Sequence, residues 1–186
     1  MLAGHPEAAG KGVLVVLNGQ INPSRDVTKT NSMSVETFKC PELGFMGYIQ
    51  NNVPYFLRMS NKRHTMNSEF TIDDLAHLSR VDIVYGYLND DAVHVEASVA
   101  AGAKGIVIAS PGHGTMSQVI KQGLVNAQQQ GVIIVKTSRC GSGIVTRVED
   151  DDRTHFVVGG TLNAQKARIL LMLALTKTNV PAEVQR

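Results

Sequence analysis

In the second half of the chain, short apolar runs alternate with segments of helical periodicity. The runs predict strands at residues 81–87, 105–110, 131–136 and 156–158. The other segments predict helices at residues 90–103, 115–130 and 163–176, the first two ended by Gly102 and Gly131 and the last capped by Asn163. Strands that alternate with helices predict an α/β fold with a parallel sheet of about four strands, flanking helices and right-handed crossovers.

The first half of the chain contains two segments with strand character. Residues 12–18 form an apolar, β-branched run, which predicts a buried parallel strand that ends in the polar loop 25–31. Farther on, Asn51 and Asn52 separate two shorter runs. Asparagine tolerates positive φ, so the pair predicts a β-hairpin with a two-residue turn. Pro54 has no N–H group and therefore predicts an edge strand.

A polar stretch at residues 59–79 separates these two halves. It lacks sustained periodicity, apart from one short turn that Thr71 could cap and that ends near Leu78. We therefore predict a linker here, between a first segment at residues 1–58 and a second domain at residues 80–186.

Lys29, in the loop 25–31, is the first candidate for chemistry. In open α/β sheets, ligands bind outside the carboxyl ends of the strands, which is where this loop is predicted to lie. A desolvated lysine near a carboxylate and a threonine hydroxyl could polarise or deprotonate that hydroxyl. The pattern alone favours the alternative, a solvated lysine in a polar loop.

Several segments together resemble the bacterial type II L-asparaginases of the asparaginase–glutaminase family. The longest reads VLVVLNGQINPSRDVTKTN, and the matching segments are residues 13–31, 34–38, 41–48, 80–87 and 161–178. The resemblance implies an amidohydrolase that converts L-asparagine, or L-glutamine, to the acid and ammonia through a threonine nucleophile, without a metal or cofactor. It also implies a flavodoxin-like C-terminal domain, a homotetramer, and a periplasmic or secreted location, although this chain shows no signal peptide.

The resemblance also implies roles for individual residues. Lys29 matches the lysine of a threonine–lysine–aspartate group. Thr115 matches a polar residue that reaches the active site of a neighbouring subunit. Glu149 matches a glutamate that contacts the substrate's α-amino group across the subunit interface, with Asp150 as the alternative. From the residues alone, Thr115 is favoured as a helix N-cap, residues 149–152 as a solvated acidic loop, and His113 as a loop histidine.

Both threonine sites of the family are absent from these residues. The segment Gly159-Gly160-Thr161 continues with Leu162-Asn163 and matches the family's C-terminal GTLN segment rather than its nucleophile loop. We therefore expect the chain to be the C-terminal part of an asparaginase, with residues 1–58 a strand and β-hairpin remnant of an N-terminal α/β domain, and to be inactive alone.

Composition narrows the other possibilities. A net charge of +2, no tryptophan and only 5% aromatic residues argue against nucleic-acid partners. No apolar run reaches the roughly 18 residues that a membrane span requires. Cys40 and Cys140 are too few for a disulfide framework, and we expect two free thiols. Two alternative functions stay open: a non-catalytic module that binds a small molecule, and an accessory subunit of an intact asparaginase.

Overall fold

The polypeptide separates into two units of unequal size. In the computed structural model, which describes residues 2–73 and 76–186, one unit extends to Thr71 and the other covers Ile72–Arg186. The division falls inside the stretch 59–79. The turn predicted between Thr71 and Leu78 includes residues 74 and 75, which lie outside the described residues.

The first unit is built from short antiparallel strands. The strands are β1 (Leu14–Leu17), β2 (Gln20–Pro23), β3 (Thr28–Lys29), β4 (Phe38–Lys39), β5 (Gly47–Gln50) and β6 (Val53–Phe56), and 3-10 turns occupy Leu2–Gly4, Pro6–Ala8 and Thr65–Asn67. The main sheet has the order β1-β2-β5-β6, and a separate pair joins β3 to β4.

The prediction of a buried parallel strand at residues 12–18 is wrong. β1 pairs with β2 in an antiparallel register, and Leu17 lies opposite Gln20. Asn18 and Gly19 between them have φ values of 49° and 73°, so the chain turns back within two residues. An Asn-Gly pair favours such a turn because both of its residues reach positive φ at low cost. The strand is also only partly buried, since Val16 is 40% exposed.

The predicted hairpin at Asn51 and Asn52 is confirmed. These residues have φ values of 50° and 63°, and the flanking β5 and β6 pair with Gln50 opposite Val53. β6 is the last strand of its sheet, so Pro54 lies on an edge strand as predicted.

The second unit contains the predicted four-stranded parallel sheet. Strands β7 (Val81–Tyr85), β8 (Gly105–Ser110), β9 (Ile133–Ser138) and β10 (Val157–Val158) lie side by side in chain order, and every pairing is parallel. The connecting and flanking helices are α1 (Val93–Ala100), α2 (Gln118–Gln129), α3 (Glu149–Thr154), α4 (Ala164–Ala174) and α5 (Pro181–Val184). This arrangement confirms the α/β class and its parallel sheet.

Both faces of this sheet are covered. Ile120 and Leu124 of α2 pack with Ile106, Ile108 and Ile134 on one face. On the opposite face, α4 packs against the sheet in a second cluster with members Val107, Val135, Ala167 and Leu171. Each large aliphatic side chain that is fully buried contributes about 1.5–3 kcal/mol, so the two layers fix the sheet as a rigid platform.

Helix α4 begins where the sequence predicts. The Asn163 side chain accepts a hydrogen bond from the Lys166 N–H at 3.0 Å, which confirms it as the N-cap. Part of its apolar surface is not covered by the described residues, because Ile169 is 51% and Leu170 44% exposed.

Candidate functional site

The connections that follow the carboxyl ends of β8 and β9 are hydrogen-bonded to each other. Nε2 of His113, in the first connection, accepts a hydrogen bond from the Thr146 N–H at 2.8 Å and lies 2.9 Å from the Thr146 hydroxyl. The Ser138 hydroxyl donates to the Gly112 carbonyl at 2.6 Å, and the Arg139 N–H donates to the Ser110 carbonyl at 2.8 Å. The two connections that carry the residues matched to the family, Thr115 and Glu149, are therefore hydrogen-bonded to each other.

Lys136 and Asp151 form a buried ion pair beneath this edge. The Lys136 Nζ atom lies 2.6 Å and 2.7 Å from the two carboxylate oxygens of Asp151, and the side chains are only 6% and 2% exposed. Asp151 also accepts a hydrogen bond from the Val148 N–H at 2.9 Å. Both carboxylate oxygens thus have charged or N–H partners, as a buried carboxylate requires.

The stem of Lys136 passes directly over Gly114. A Cβ atom at position 114 would lie 2.7 Å from both Cγ and Cδ of Lys136, and Gly114 has a φ of +86°. Only glycine meets both conditions without strain. Lys136 therefore touches the residue before Thr115 with its stem and the helix α3 with its charged tip.

The prediction that residues 149–152 form a solvated loop is wrong. They begin the helix α3, and Asp151 is among the most buried charged residues of the described chain. Each acidic side chain has a different basic partner: Glu149 pairs with Arg153, Asp150 with Lys121, Asp151 with Lys136 and Asp152 with Arg147. The run resembled a solvated segment because charge alone does not show which carboxylate faces the core.

The four pairs differ in what they hold. Lys121 of α2 lies 2.6 Å from Asp150, so this pair joins two helices. The pair of Glu149 with Arg153 lies within one helix turn, and the Glu149 side chain is 81% exposed. Of these two candidates for a substrate contact, Glu149 is the more accessible, and its partner is the more easily displaced.

Thr115 is exposed. The prediction that it is the N-cap of α2 is wrong. The N-cap is Ser117, whose hydroxyl accepts from the Ile120 N–H at 3.3 Å and donates to Asp90 at 2.7 Å. Thr115 lies two residues earlier, and its N–H donates to the Pro111 carbonyl at 3.1 Å. Within residues 2–73 and 76–186, its hydroxyl makes no hydrogen bond, which leaves it available to a ligand.

Lys29 belongs to the first unit and is exposed on β3, where it lies opposite Phe38. It does not follow a parallel strand, because the strand before its loop is the antiparallel β2. Lys29 therefore does not lie at the carboxyl end of a parallel strand, the position for which it was proposed as a candidate. In the described part of the chain no carboxylate pairs with its ammonium group, and only the family resemblance assigns it a role.

Cys140, which follows β9, is an exposed free thiol, and Cys40 is buried. The Ser138 hydroxyl lowers the pKa of the Cys140 thiol below its usual value, with smaller contributions from the Gly112 backbone and the charge of Arg139. This is the effect expected when hydrogen-bond donors face a thiolate.

Two absences concern only the described residues, 2–73 and 76–186. No group of three or more His, Cys, Asp or Glu side chains among them is arranged to hold a metal ion. No helix formed by them is both long and apolar enough to cross a membrane.

Lys136 and its ion pair with Asp151 were not predicted from the sequence. One signal was present, because Lys136 directly follows the apolar run at residues 132–135, where a central strand is normally uncharged. The contact between His113 and Thr146 had no comparable signal, since 33 residues separate the two positions.

Comparison with known protein families covers nearly the whole chain. The glutaminase/asparaginase C-terminal domain matches residues 80–186, and the asparaginase N-terminal domain matches residues 1–62. L-asparaginase 2 of Bacillus subtilis (strain 168) is 46% identical over 184 residues, which are 99% of this chain and 49% of that protein. The "probable L-asparaginase periplasmic" of Haemophilus influenzae is 39% identical over 188 residues, or 100% of this chain and 54% of that protein.

A solved structure matches as well. The crystal structure of a "probable cytoplasmic L-asparaginase" from Campylobacter jejuni has a TM-score of 0.95 and 39% identity, and the match covers 99% of this chain and 60% of that one. This chain spans about half the length of the curated relatives it matches. The names of these relatives place one in the periplasm and another in the cytoplasm, so the periplasmic location stays a prediction.

Proposed function

The chain belongs to the glutaminase/asparaginase family, and on this basis we propose that it supplies the C-terminal part of an amidohydrolase site. The substrate is L-asparagine, with L-glutamine as the second candidate, and the products are the corresponding acid and ammonia. One observation carries the proposal. The exposed side chains of Thr115 and Glu149 stand on two segments that both contact the same buried lysine, Lys136.

In this proposal Glu149 rather than Asp150 binds the α-ammonium group of the substrate. Asp150 is engaged by Lys121, and that pair joins α3 to α2. Glu149 has only Arg153 as a partner, on the same short helix and in contact with solvent. A substrate ammonium that replaces Arg153 forms a charge-assisted hydrogen bond without disturbing the packing of α3. The free hydroxyl of Thr115 provides a second polar contact.

The chemistry follows the family resemblance. A threonine hydroxyl attacks the side-chain amide carbon, and its proton passes to the amide nitrogen as the C–N bond breaks and ammonia leaves. Water then hydrolyses the resulting ester. Lys29 assists proton transfer from a threonine hydroxyl. We propose that the nucleophilic threonine is contributed by polypeptide outside these 186 residues.

The isolated chain should be inactive. Because a nucleophile, a base and an oxyanion site must all be present for turnover, the 186-residue chain alone should release no ammonia from L-asparagine above background. Lys29→Met should behave identically. Ammonia release by the isolated chain that Lys29→Met abolishes would show that a nucleophile lies within it.

The positive test supplies the rest of the site. The chain is joined to the part of B. subtilis L-asparaginase 2 that it does not match, and this combined enzyme is assayed beside each part alone. We expect ammonia release from the combined enzyme only. If the combined enzyme folds and binds L-aspartate by titration calorimetry but releases no ammonia, the amidohydrolase proposal fails and a binding module replaces it.

We also propose that the chain self-associates. Ile169 and Leu170 leave apolar surface exposed on α4, and exposed apolar surface favours association. Light scattering at tens of micromolar, roughly where modest interfaces are occupied, should show a dimer or larger assembly. A monodisperse monomer at that concentration would contradict it.

A further inference from the structure

Helix α3 is too short to hold its own position. It spans Glu149–Thr154, six residues, whereas isolated helices shorter than about 12–15 residues are marginal in water. Its direction must therefore come from tertiary contacts. The contacts to elements outside its own segment include the pair of Lys121 with Asp150 and the pair of Lys136 with Asp151.

These two pairs are unequal. The Asp150 side chain is 51% exposed, so its pair with Lys121 is screened by solvent. The pair of Lys136 with Asp151 is buried, and both carboxylate oxygens of Asp151 are occupied. Lys136 also lies on β9, which is paired with a strand on each side, so its backbone position is fixed by the sheet.

We propose that Lys136 and Asp151 are positioning residues for Glu149. Lys136 pairs with Asp151, and Asp151 accepts a hydrogen bond from the Val148 N–H at the first turn of α3. Glu149 lies between Val148 and Asp151, so its backbone is held on both sides. The stem of Lys136 also contacts Gly114, so the same lysine contacts both α3 and the segment that carries Thr115. This inference rests on the proposed function, because it concerns the residue that binds substrate.

Lys136 and Asp151 themselves do not face the substrate. Their side chains are 6% and 2% exposed, and each has the other as its charged partner. Replacing them should therefore change how well the substrate is held rather than the chemical step. In kinetic terms, KM should rise while kcat stays close to the parent value.

The test uses two variants of the combined enzyme. Lys136→Met keeps the stem over Gly114 but leaves the Asp151 charge buried without its partner, and this variant can simply fail to fold. The double variant Lys136→Met with Asp151→Asn removes both charges and should stay folded, since neutralised buried pairs are often well tolerated. We expect the double variant to raise KM for L-asparagine roughly tenfold, the effect of weakening one charge-assisted contact, with kcat within about threefold.

A background that lacks the Glu149 carboxylate separates positioning from general stability. If Lys136 and Asp151 act through Glu149, the double variant should add little to KM once Glu149→Gln is present, because residues that act as one unit are not additive. Arg80→Met is the matched control. It breaks the solvent-exposed pair of Arg80 with Asp82, at the start of β7, and should leave KM unchanged.

The outcomes distinguish the two proposals. If the parent combined enzyme folds and binds L-aspartate but releases no ammonia, the proposed function fails and this inference with it. If the parent is active but the double variant has the parental KM, the positioning role alone is refuted. The positioning role is also refuted if the rise in KM persists in full when Glu149→Gln is present.

Discussion

Gly114→Ala tests whether the Lys136 stem is held as the structure shows. Alanine at a φ of +86° is strained by about 1–2 kcal/mol. Its Cβ would also lie 2.7 Å from two carbons of Lys136, closer than a real contact allows. The stem cannot swing away freely, because Asp151 holds its tip at 2.6 Å. Overpacking of this kind costs about 1–3 kcal/mol, so the total loss of unfolding free energy should be about 2–5 kcal/mol.

Gly131→Ala is the matched control. Gly131 has a φ of +85°, and nothing lies within 4 Å of the Cβ that alanine would add. It should therefore lose only the backbone term, about 1–2 kcal/mol. The two variants are compared with the parent by urea denaturation followed by far-UV circular dichroism, since the chain has no tryptophan to report by fluorescence. Equal destabilisation of both variants would refute the claim that the Lys136 stem is fixed.

Three further predictions concern separate features. The Gln185 side chain bonds both the N–H and the carbonyl of Val158, at 2.7 Å and 3.3 Å, so Gln185→Ala should speed hydrogen exchange at Val158 and cost about 1 kcal/mol. Because Ser138 lowers the pKa of Cys140, alkylation of Cys140 should begin at a lower pH than for a free cysteine, and Ser138→Ala should move the pH midpoint of the rate upward. Asn163→Ala should destabilise the second unit by about 1 kcal/mol in chemical denaturation, through loss of the α4 cap.

Local patterns predicted the elements whose cause is local. The hairpin follows from Asn51 and Asn52, and the start of α4 from Asn163, because each residue bonds or turns within its own segment. The turn at Asn18 was equally local. The β-branched run before it favours a strand, but the Asn-Gly pair that ends the run sets the antiparallel pairing of that strand.

The candidate site was less predictable because its contacts join residues that are far apart in the sequence. Lys136 and Asp151 are 15 residues apart, on a strand and a helix, and nothing in an acidic run shows which member turns inward. Ser117 rather than Thr115 is the N-cap of α2, and its hydroxyl also donates to Asp90, a contact across 27 residues that the local pattern does not show. The resemblance supplied Thr115 and Glu149, but only the structure shows the lysine beneath them.

The central claim is that Glu149 on α3 binds the substrate's ammonium group. The most direct measurement compares Glu149→Gln with Asp150→Asn in the combined enzyme, by the KM for L-asparagine. We expect Glu149→Gln to raise KM roughly tenfold or more, the value of one charge-assisted hydrogen bond, and Asp150→Asn to leave it close to the parent. A large rise in KM for Asp150→Asn with none for Glu149→Gln would contradict the account.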